Sequence, residues 1–429
     1  MTDIKRRDFL KWTGAAGVAA GIGGLAAPAI AGKGGGHVIV IGGGFGGAIA
    51  AKYIRKADPS VKVTLVEQHK MYVSCPFSNK VIAGMMEMKE LTFSYEGLRK
   101  NHGINLYHGK VAGVDAKKKT ITFEGGKKLS YDRLVVSPGV DFRWDAIEGY
   151  DAKVAEDIPH AWKAGSQTMT LRKQLESMKD GGLVVIAAPP NPFRCPPGPY
   201  ERAALMAHYL KNNKPRSKIL VLDSKDKFSK QGLFKEGWKQ LYGDMIEWKG
   251  AADDGKVMGV DAKNRVANTE FEEHKADVLN IIPPQKAGAL AHIAGLADDS
   301  GWCPVDQKTF KSKLVDNVYV VGDSCIAGKM PKSGYAANTQ AKVCAAAVVA
   351  DLRGSDFGVP AYTNTCYSVL APDYGISVAA VYKLGEDGKI AGVKGAGGLS
   401  PMAAPPLTRQ QEVLWAKGWF NAITSDMFM

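Results

Sequence analysis

The sequence predicts an α/β protein with two Rossmann-like, doubly wound domains, the second inserted into the first, and a C-terminal α+β region. Three observations support this fold class. The apolar run His37–Ile41 leads into a glycine-rich turn, a helix of small residues and a second apolar run. A similar run, Gly181–Ala188, precedes a predicted helix over Tyr200–Lys211. A late apolar run, Asn317–Asp323, is expected to complete the first sheet. Strands and helices that alternate in this way form parallel sheets.

The composition indicates a globular protein and excludes several classes of function. Of its 429 residues, 45% are hydrophobic and 23% are charged, which is sufficient for a large core. The formal net charge of +13 favours an acidic partner, but no long run of basic residues indicates nucleic-acid binding. The six cysteines include no CxxC pair and the eight histidines lie apart from them. We therefore predict neither a metal site nor a haem attachment site in this chain.

Residues 1–31 have the pattern of an export signal. Arg6 and Arg7 precede an apolar run rich in glycine and alanine, which ends in the triplet Ala29-Ile30-Ala31. This segment resembles a twin-arginine signal, with cleavage expected after Ala31. It predicts a periplasmic protein that receives its cofactor before crossing the membrane. No later run of about 18 apolar residues follows, so we predict no integral membrane segment in the mature chain.

The first glycine-rich turn has the features of a dinucleotide-binding site. Gly42, Gly44 and Gly47 form a GxGxxG pattern between strand and helix, and Glu67 follows Gly47 by 20 residues. Glycine lets backbone N–H groups approach a pyrophosphate, and an acid at the end of the second strand accepts hydrogen bonds from ribose hydroxyls. Such an acid favours FAD or NAD over NADP.

Two distant segments favour FAD. The stretch YDRLVVSPG, which ends at Gly139, resembles the strand and turn on the adenine side of the FAD site in glutathione-reductase-like flavoproteins. In NVYVVGD, Asp323 matches the aspartate that binds the ribityl chain in those proteins. A helical pattern then begins around Lys332, Gly334 and Tyr335, and we expect the positive end of its dipole to point at the flavin.

The second strand-turn-helix unit carries proline where a nucleotide-binding turn carries glycine. The stretch APPNPFRCPPGPYERA has six prolines between Pro189 and Pro199. Proline has no N–H, and its ring blocks the approach of a pyrophosphate. We therefore predict that the chain does not use NAD(P)H. The rigid loop instead favours a positioned thiol at Cys195, and the alternative is a buried or disulfide-bonded cysteine with a structural role.

The combined motifs resemble one family over essentially the whole mature chain. The segments VIVIGGGFGGAIAAKYI, SCPFSN, PFRCPPGPYERA, GDSCIAGKMPKSGYAANTQAK and NTCYSVLAPDYGIS are similar to the flavoprotein subunit of flavocytochrome c sulfide dehydrogenase, a relative of sulfide:quinone oxidoreductases. The resemblance implies FAD attached through an 8α-thioether to Cys75. It also implies a redox-active disulfide between Cys195 and Cys366 beside the flavin, with Glu201 as acid/base.

The implied chemistry is oxidation of sulfide without NAD(P)H. Hydrosulfide attacks one sulfur of the disulfide, which yields a persulfide and a thiolate whose two electrons pass to the flavin. Burial would raise the pKa of Glu201 so that it can handle the proton. The alternative is that Glu201 only stabilises a helix N-terminus, by about 0.3–1 kcal/mol.

The resemblance also implies a partner. The family pairs with a c-type cytochrome subunit that carries haem c, and we expect a heterodimer of this kind. A membrane-associated sulfide:quinone oxidoreductase is the alternative enzyme. The alternative of another class is a non-catalytic flavin electron-transfer or assembly protein, in which the cysteines are structural.

These inferences divide the chain into segments. After the signal over residues 1–31, the FAD domain is predicted over 35–150 and 303–350, the inserted domain over 151–302 and a cytochrome-interface domain over 351–429. In the last we expect a hairpin around Gly385–Lys389, a glycine- and proline-rich loop over 391–406 and a C-terminal helix. Five large apolar residues of that helix are expected to form core or a docking face: Trp415, Trp419, Phe420, Ile423 and Met427. Three further cysteines are expected to be inert: Cys303, Cys325 and Cys344.

Overall fold

The computed structural model describes residues 35–429, so the predicted signal and its cleavage after Ala31 lie outside the described residues. The helices are α1 (Gly47–Ala57), α2 (Ser78–Ile82), α3 (Glu96–His102), α4 (Val154–Asp157), α5 (Ser166–Ser177), α6 (Gly198–Asn213), α7 (Gln231–Tyr242), α8 (Ala289–Ile293), α9 (Gly334–Arg353) and α10 (Pro406–Phe428). The strands before α6 are β1 (His37–Ile41), β2 (Lys62–Glu67), β3 (Met71–Val73), β4 (Thr92–Ser94), β5 (Asn105–His108), β6 (Val111–Asp115), β7 (Thr120–Phe123), β8 (Lys128–Ser130), β9 (Arg133–Val136), β10 (Val140–Phe142) and β11 (Leu183–Ala188). The later strands are β12 (Lys218–Asp223), β13 (Ile246–Lys249), β14 (Gly259–Asp261), β15 (Val266–Asn268), β16 (Glu273–Lys275), β17 (Val278–Ile281), β18 (Gln285–Ala287), β19 (Cys303–Pro304), β20 (Val318–Val320), β21 (Cys325–Ile326), β22 (Ala361–Ala371), β23 (Tyr374–Leu384) and β24 (Ile390–Leu399).

A five-stranded parallel sheet, in the order β20-β9-β1-β2-β5, carries the first glycine-rich turn. Its central strand, β1, is apolar after His37 because both faces are covered, and Val38, Ile39 and Val40 are fully buried. Strand β20 enters from far along the chain and pairs with β9, with Val318 opposite Leu134. The late apolar run therefore completes the first sheet, as the sequence predicted.

A second parallel sheet, in the order β13-β12-β11-β17, is built from the residues between β9 and β20. The predicted strand at Gly181–Ala188 is observed as β11, and the predicted helix over Tyr200–Lys211 is longer and begins at Gly198. Two parallel sheets with helices between their strands confirm the predicted fold class. The segment boundaries at residues 150, 302 and 350 stay predictions.

The C-terminal region contains a three-stranded antiparallel sheet, β22-β23-β24, and helix α10. The predicted hairpin is observed, with the Gly385 N–H donating to Lys389 O over 2.8 Å. The predicted loop over 391–406 is wrong in its first part, because β24 continues to Leu399. The glycines of β24 pair with β23 through their backbone. The two strands approach closely at Gly397, where a Cβ would lie 2.3 Å from Ala379 O, so this position requires glycine.

Helix α10 packs against helices α1 and α3 of the first sheet. Its large apolar side chains lie in two different environments. Phe420, Ile423 and Met427 are buried, as expected for core residues, whereas Trp415 is 53% exposed. Phe428 stacks on the ring of Phe93, with ring centroids 5.2 Å apart. In the part of the chain that the structure describes, no helix has both the length and the apolar character needed to cross a bilayer.

Candidate functional site

A cavity of about 500 Å³ lies at the carboxyl ends of the strands of the first sheet. Its walls come from distant parts of the chain: the turn after β1, the segment around α2, residues 161–163, the turn between β11 and α6, the start of α9, strand β22 and helix α10. Ligands of doubly wound folds bind at this edge of the sheet. The cavity is therefore the candidate site.

The glycine-rich turn forms one wall of the cavity. Gly42 has φ +98°, which side chains avoid, and its N–H donates to Val66 O over 2.9 Å. Gly44 lines the cavity, and a Cβ there would have no atom closer than 3.7 Å, so the turn is open towards the cavity. Gly47 does not line it. A Cβ on Gly47 would lie 1.8 Å from Gly42 O, so this glycine allows helix α1 to start directly on the turn.

Two carboxylates predicted to contact the cofactor line the cavity. Glu67, at the end of β2, accepts hydrogen bonds from the N–H groups of Gly43 (2.8 Å) and His69 (3.1 Å). Asp323 follows β20, and its buried Oδ1 has no hydrogen-bond partner among the described residues. Burial raises the pKa of Asp323, while the nearby cations Arg194 and Lys332 lower it. An orphaned carboxylate oxygen in a cavity fits a hydroxyl donor, such as those of a ribityl chain.

The N-terminus of the 20-residue helix α9 also reaches the cavity. Ser333 caps it by accepting a hydrogen bond from Ala336 N–H at 3.0 Å. Gly334 and Tyr335 line the cavity at the positive end of the helix dipole. Gly139, with φ +66°, also lines the cavity, and a Cβ there would meet no atom within 4 Å.

Lys332 lies in a different place from the other predicted cofactor residues. It does not line the cavity. Its ammonium donates to the backbone oxygens of Asp323 (2.7 Å) and Cys325 (3.0 Å) and lies 3.7 Å from the ring centroid of Trp302. Its own carbonyl accepts from Cys195 N–H at 2.8 Å. Lys332 therefore stabilises the turn at Asp323 through its ammonium and the loop at Cys195 through its carbonyl.

Three of the six cysteines line the cavity, and all three carry free thiols. These are Cys75, Cys195 and Cys366. The sulfur of Cys75 accepts from Ala164 N–H at 3.5 Å. The other three cysteines are buried in the core: Cys303, Cys325 and Cys344. Burial raises the pKa of Cys303 and of Cys325 to about 12, which agrees with the expectation that they are inert.

The backbone is strained where it borders this cavity. Cys195 has φ +57°, Phe77 +69° and Ala161 +46°, and all three residues line the cavity. A non-glycine residue in the left-handed region costs about 1–3 kcal/mol, and such residues concentrate at functional sites. The proline-rich loop therefore holds Cys195 in a conformation that a free chain rarely adopts.

Glu201 lies beside these cysteines in the first turn of α6. Its carboxylate accepts from Val369 N–H at 2.8 Å and from the Asn79 amide at 3.0 Å. Burial raises the pKa of Glu201, and these two hydrogen bonds oppose that shift. Arg202, which is only 1% exposed, orients Asn79 by donating to its Oδ1 at 3.0 Å.

Several residues at the cavity escaped sequence reasoning. Asn79, Arg194, Arg202, Tyr367 and Trp419 all line it. Only Arg194 had a local signal, because it precedes Cys195 in the proline-rich loop. The others are brought in by elements whose packing the sequence pattern does not reveal.

The second βαβ unit contains an acid at the position that corresponds to Glu67, but its side chain is already bonded. Asp223 ends β12 and is completely buried. Its Oδ2 accepts from Tyr200 O–H at 2.5 Å and from Trp248 N–H at 3.0 Å, and its Oδ1 from Lys225 at 2.5 Å. The Tyr200 ring stacks on Phe228, with centroids 3.6 Å apart.

The fold and the cavity together define a flavin-binding oxidoreductase. The family model described as pyridine nucleotide-disulphide oxidoreductase matches residues 36–180. The X-ray structure of the sulfide:quinone oxidoreductase from the hyperthermophilic bacterium Aquifex aeolicus has a similar fold, with a TM-score of 0.71 over 91% of this chain and 92% of that chain, at 19% identity.

Further comparisons identify the particular family. The central model of the sulfide dehydrogenase [flavocytochrome c] flavoprotein chain matches residues 168–283, and the flavocytochrome c sulphide dehydrogenase flavin-binding model matches residues 359–428. The corresponding flavoprotein chain from Chlorobaculum thiosulfatiphilum is 64% identical over 45 residues, which cover 10% of this chain and 94% of that sequence. The sulfide-quinone reductase of Aquifex aeolicus (strain VF5) is 26% identical over 369 residues, covering 80% of this chain and 83% of its own length.

The chain therefore belongs to the family of flavoprotein chains of flavocytochrome c sulfide dehydrogenase, which are sulfide-oxidising oxidoreductases. The resemblance inferred from the sequence is confirmed. A model of the twin-arginine translocation signal matches residues 3–23, which confirms the predicted export route to the periplasm.

Proposed function

We propose that this chain oxidises hydrosulfide at a Cys195–Cys366 disulfide beside bound FAD and delivers the electrons to a c-type cytochrome subunit. One observation carries the proposal: both cysteines and Glu201 line the same cavity as the glycine-rich turn and Asp323. Sulfur chemistry and flavin binding thus share one space. Two relatives support sulfide as the substrate. One is named a sulfide dehydrogenase flavoprotein chain and the other a sulfide-quinone reductase.

The residues of the cavity fit FAD. The open turn at Gly44 suits a pyrophosphate, Glu67 suits the adenosine ribose, and the orphaned Oδ1 of Asp323 suits the ribityl chain. The start of α9, at Gly334 and Tyr335, suits negative charge on the flavin ring. When bound, FAD accepts electrons in pairs and can release them singly.

We also propose that Cys75 attaches to the 8α-methyl group of the flavin. Cys75 lines the cavity, and its sulfur is oriented by the N–H of Ala164. Flavin that stays with the protein after acid denaturation would support the thioether. Free FAD in the supernatant would contradict it.

The sulfur step is a thiol–disulfide exchange. Hydrosulfide attacks one sulfur of the Cys195–Cys366 disulfide; that S–S bond breaks, a persulfide S–S bond forms, and the other cysteine leaves as a thiolate. The negative charge of hydrosulfide is thereby transferred to the released thiolate. Glu201 holds or accepts the proton of the sulfur species, since burial raises its pKa and Asn79 and Val369 fix its orientation.

The second βαβ unit supports the exclusion of NAD(P)H. The turn is filled by proline, and Asp223, which would bind a ribose, is bonded to Tyr200, Trp248 and Lys225 instead. A nucleotide would have to break these buried bonds. Mixing NADH with the purified protein should leave the flavin oxidised, and reduction at a useful rate would contradict this exclusion.

The electron acceptor has two candidates. The family description, flavocytochrome c, supports a cytochrome subunit that carries haem c in a heterodimer. Similarity to a sulfide-quinone reductase over 80% of the chain favours quinone as the second candidate. Purification of the exported protein with any bound subunit separates them. A haem Soret band and sulfide-dependent haem reduction support the cytochrome; absence of haem together with quinone-dependent turnover supports the alternative.

A further inference from the structure

Lys230 is a buried cation directly behind the cysteine of strand β22. Its side chain is only 5% exposed, and its ammonium donates to Cys366 O at 3.0 Å and to Ser368 Oγ at 2.8 Å. It precedes helix α7 with φ +62°, a conformation that a lysine rarely adopts. A buried charge and a strained backbone at one residue are both costly, which calls for a reason beyond packing.

Within the described part of the chain, Lys230 lacks a direct ion pair, and its ammonium lies 5.8 Å from the ring centroid of Phe234. Both of its hydrogen bonds go to uncharged oxygens, and no carboxylate forms an ion pair with it among residues 35–429. Lys225, which is partly buried, pairs by contrast with Asp223 at 2.5 Å. An ammonium has three N–H donors, so one remains after these two bonds.

The charged groups that face the two cysteines are few. Burial raises the pKa of Cys366; Lys230 opposes this shift and Glu201 reinforces it. Burial, Cys366 and Glu201 raise the pKa of Cys195, against Lys230 and Arg194. Lys230 and Lys80 in turn favour the ionised form of Glu201. For Cys366, Lys230 is therefore the stabilising cation.

We propose that Lys230 is a positioning residue of the sulfur site, whose ammonium holds the backbone at Cys366 and stabilises the negative charge that appears on the cysteine pair when hydrosulfide opens the disulfide. The proposal rests on the proposed function, since it needs the Cys195–Cys366 disulfide. In that exchange one S–S bond breaks, another forms, and one unit of negative charge enters a buried space. Lys230 does not line the cavity, so it acts through Cys366 and not on the substrate.

The test is a thiol–disulfide titration of the flavin-containing protein. Because burial raises the pKa of both thiols above the ordinary cysteine value, the oxidised protein is equilibrated with dithiothreitol from about pH 7 to about pH 11, so that the range includes thiolate formation. Free thiols are trapped by alkylation, and Cys195 and Cys366 are quantified by peptide mass spectrometry. We expect Lys230→Gln, which keeps hydrogen-bond donors but loses the charge, to favour the disulfide by about tenfold at high pH, where thiolate forms, and much less at low pH. Lys230→Arg should restore the wild-type equilibrium because it keeps the charge.

Lys239→Met is the matched control. Lys239 lies on the same helix with its side chain 73% exposed, so its loss removes one charge at the surface and should leave the equilibrium unchanged. A folded Lys230→Gln protein with wild-type pH dependence would overturn the role of Lys230. A shift of equal size at every pH would overturn it too, because a purely structural effect does not follow thiolate formation.

A second measurement does not depend on the variants folding. In reduced wild-type protein, iodoacetamide should alkylate Cys366 at lower pH than Cys195, and the opposite order would overturn the proposal. The proposed function fails separately: it falls if the wild-type protein forms no Cys195–Cys366 disulfide or if sulfide does not open it. If sulfide opens it and Lys230→Gln changes nothing, only the role of Lys230 falls.

Discussion

The two strand-turn-helix units of this chain share a scaffold and differ in the chemistry of their turns. In the first, glycine leaves the backbone bare, and Glu67 lines the cavity. In the second, proline fills the turn, and Asp223 is buried under Tyr200 and Trp248. The first turn can receive a phosphate because its N–H groups are present and accessible, whereas in the second turn the prolines have no N–H and the N–H of Cys195 is bonded to Lys332 O.

The comparison teaches that the same strand-turn-helix scaffold can carry two different kinds of turn, and under the proposed function the second works without a nucleotide. Helix α6 of the second unit begins beside the cavity at the first sheet, and Cys195 and Glu201 line that cavity. Rigid proline and a left-handed Cys195 replace the flexible glycines of a phosphate turn. The second unit thus places a thiol and a carboxylate in the cavity.

The largest expected effect comes from removing the thiol that the second turn presents. Cys195→Ser should abolish reduction of the flavin by sulfide, because serine cannot form the disulfide that hydrosulfide opens. Anaerobic stopped-flow absorbance at the flavin band measures it. Cys344→Ala, at a fully buried core cysteine, is the control and should keep the reaction. Undiminished sulfide oxidation by Cys195→Ser would favour the alternative that the cysteines are structural.

Replacing the carboxylate of the second turn should have the next largest effect. Glu201→Gln should slow flavin reduction by about 10²–10⁴-fold, the usual contribution of a positioned acid or base. Because burial raises the pKa of Glu201, its contribution to stability is fully present below the pKa of an unfolded glutamate and is lost as pH rises through the folded value. Thermal unfolding of the variant should therefore depend less on pH. A wild-type rate in Glu201→Gln would remove its catalytic role.

Adding a single methyl group at Gly47 should distort the glycine-rich turn of the first unit. In Gly47→Ala the new Cβ would lie 1.8 Å from Gly42 O, so turn and helix must separate, at a cost of about 3 kcal/mol. We expect a lower flavin content after purification, measured by absorbance per polypeptide. Gly418→Ala is the control, since a Cβ at this helical position meets no atom within 4 Å. Full flavin loading of Gly47→Ala would show that the turn does not need this close approach.

The smallest expected effect concerns the hydrogen bonds to Asp223 in the second strand-turn-helix unit. Tyr200→Phe removes one of the donors to the buried Asp223 and should lower the free energy of unfolding by about 1–3 kcal/mol. Denaturant unfolding measures it, with Tyr209→Phe on the same helix as the control. NADH should still fail to reduce the flavin, because the prolines remain. If the variant gained reduction by NADH, Tyr200 alone would be what closes the site.

The sequence predicted correctly those features whose residues lie close together in the chain. Gly42, Gly44 and Glu67 lie in one continuous motif, and the predicted strands on either side of the turn and helix are observed as β1 and β2, which pair in parallel. The loop predicted over 391–406 was partly wrong because glycines that look like a flexible loop can pair at a sheet edge through their backbone. Lys332 was assigned to the cofactor by its position after Asp323, but its side chain turns towards backbone carbonyls behind the turn.

The sequence by itself determined the fold class, the glycine-rich and proline-rich turns, the export signal and the family, because each depends on residues close together in the chain or on a recognisable set of motifs. Only the tertiary structure decided that Cys195, Cys366 and Glu201 face one cavity with Asp323, that Tyr200 covers Asp223, and that Lys230 lies behind Cys366. These contacts join residues that are far apart in sequence. They form only when the second sheet, strand β22 and helix α10 pack around the first sheet, and burial then sets the charges and pKa values on which the chemistry depends.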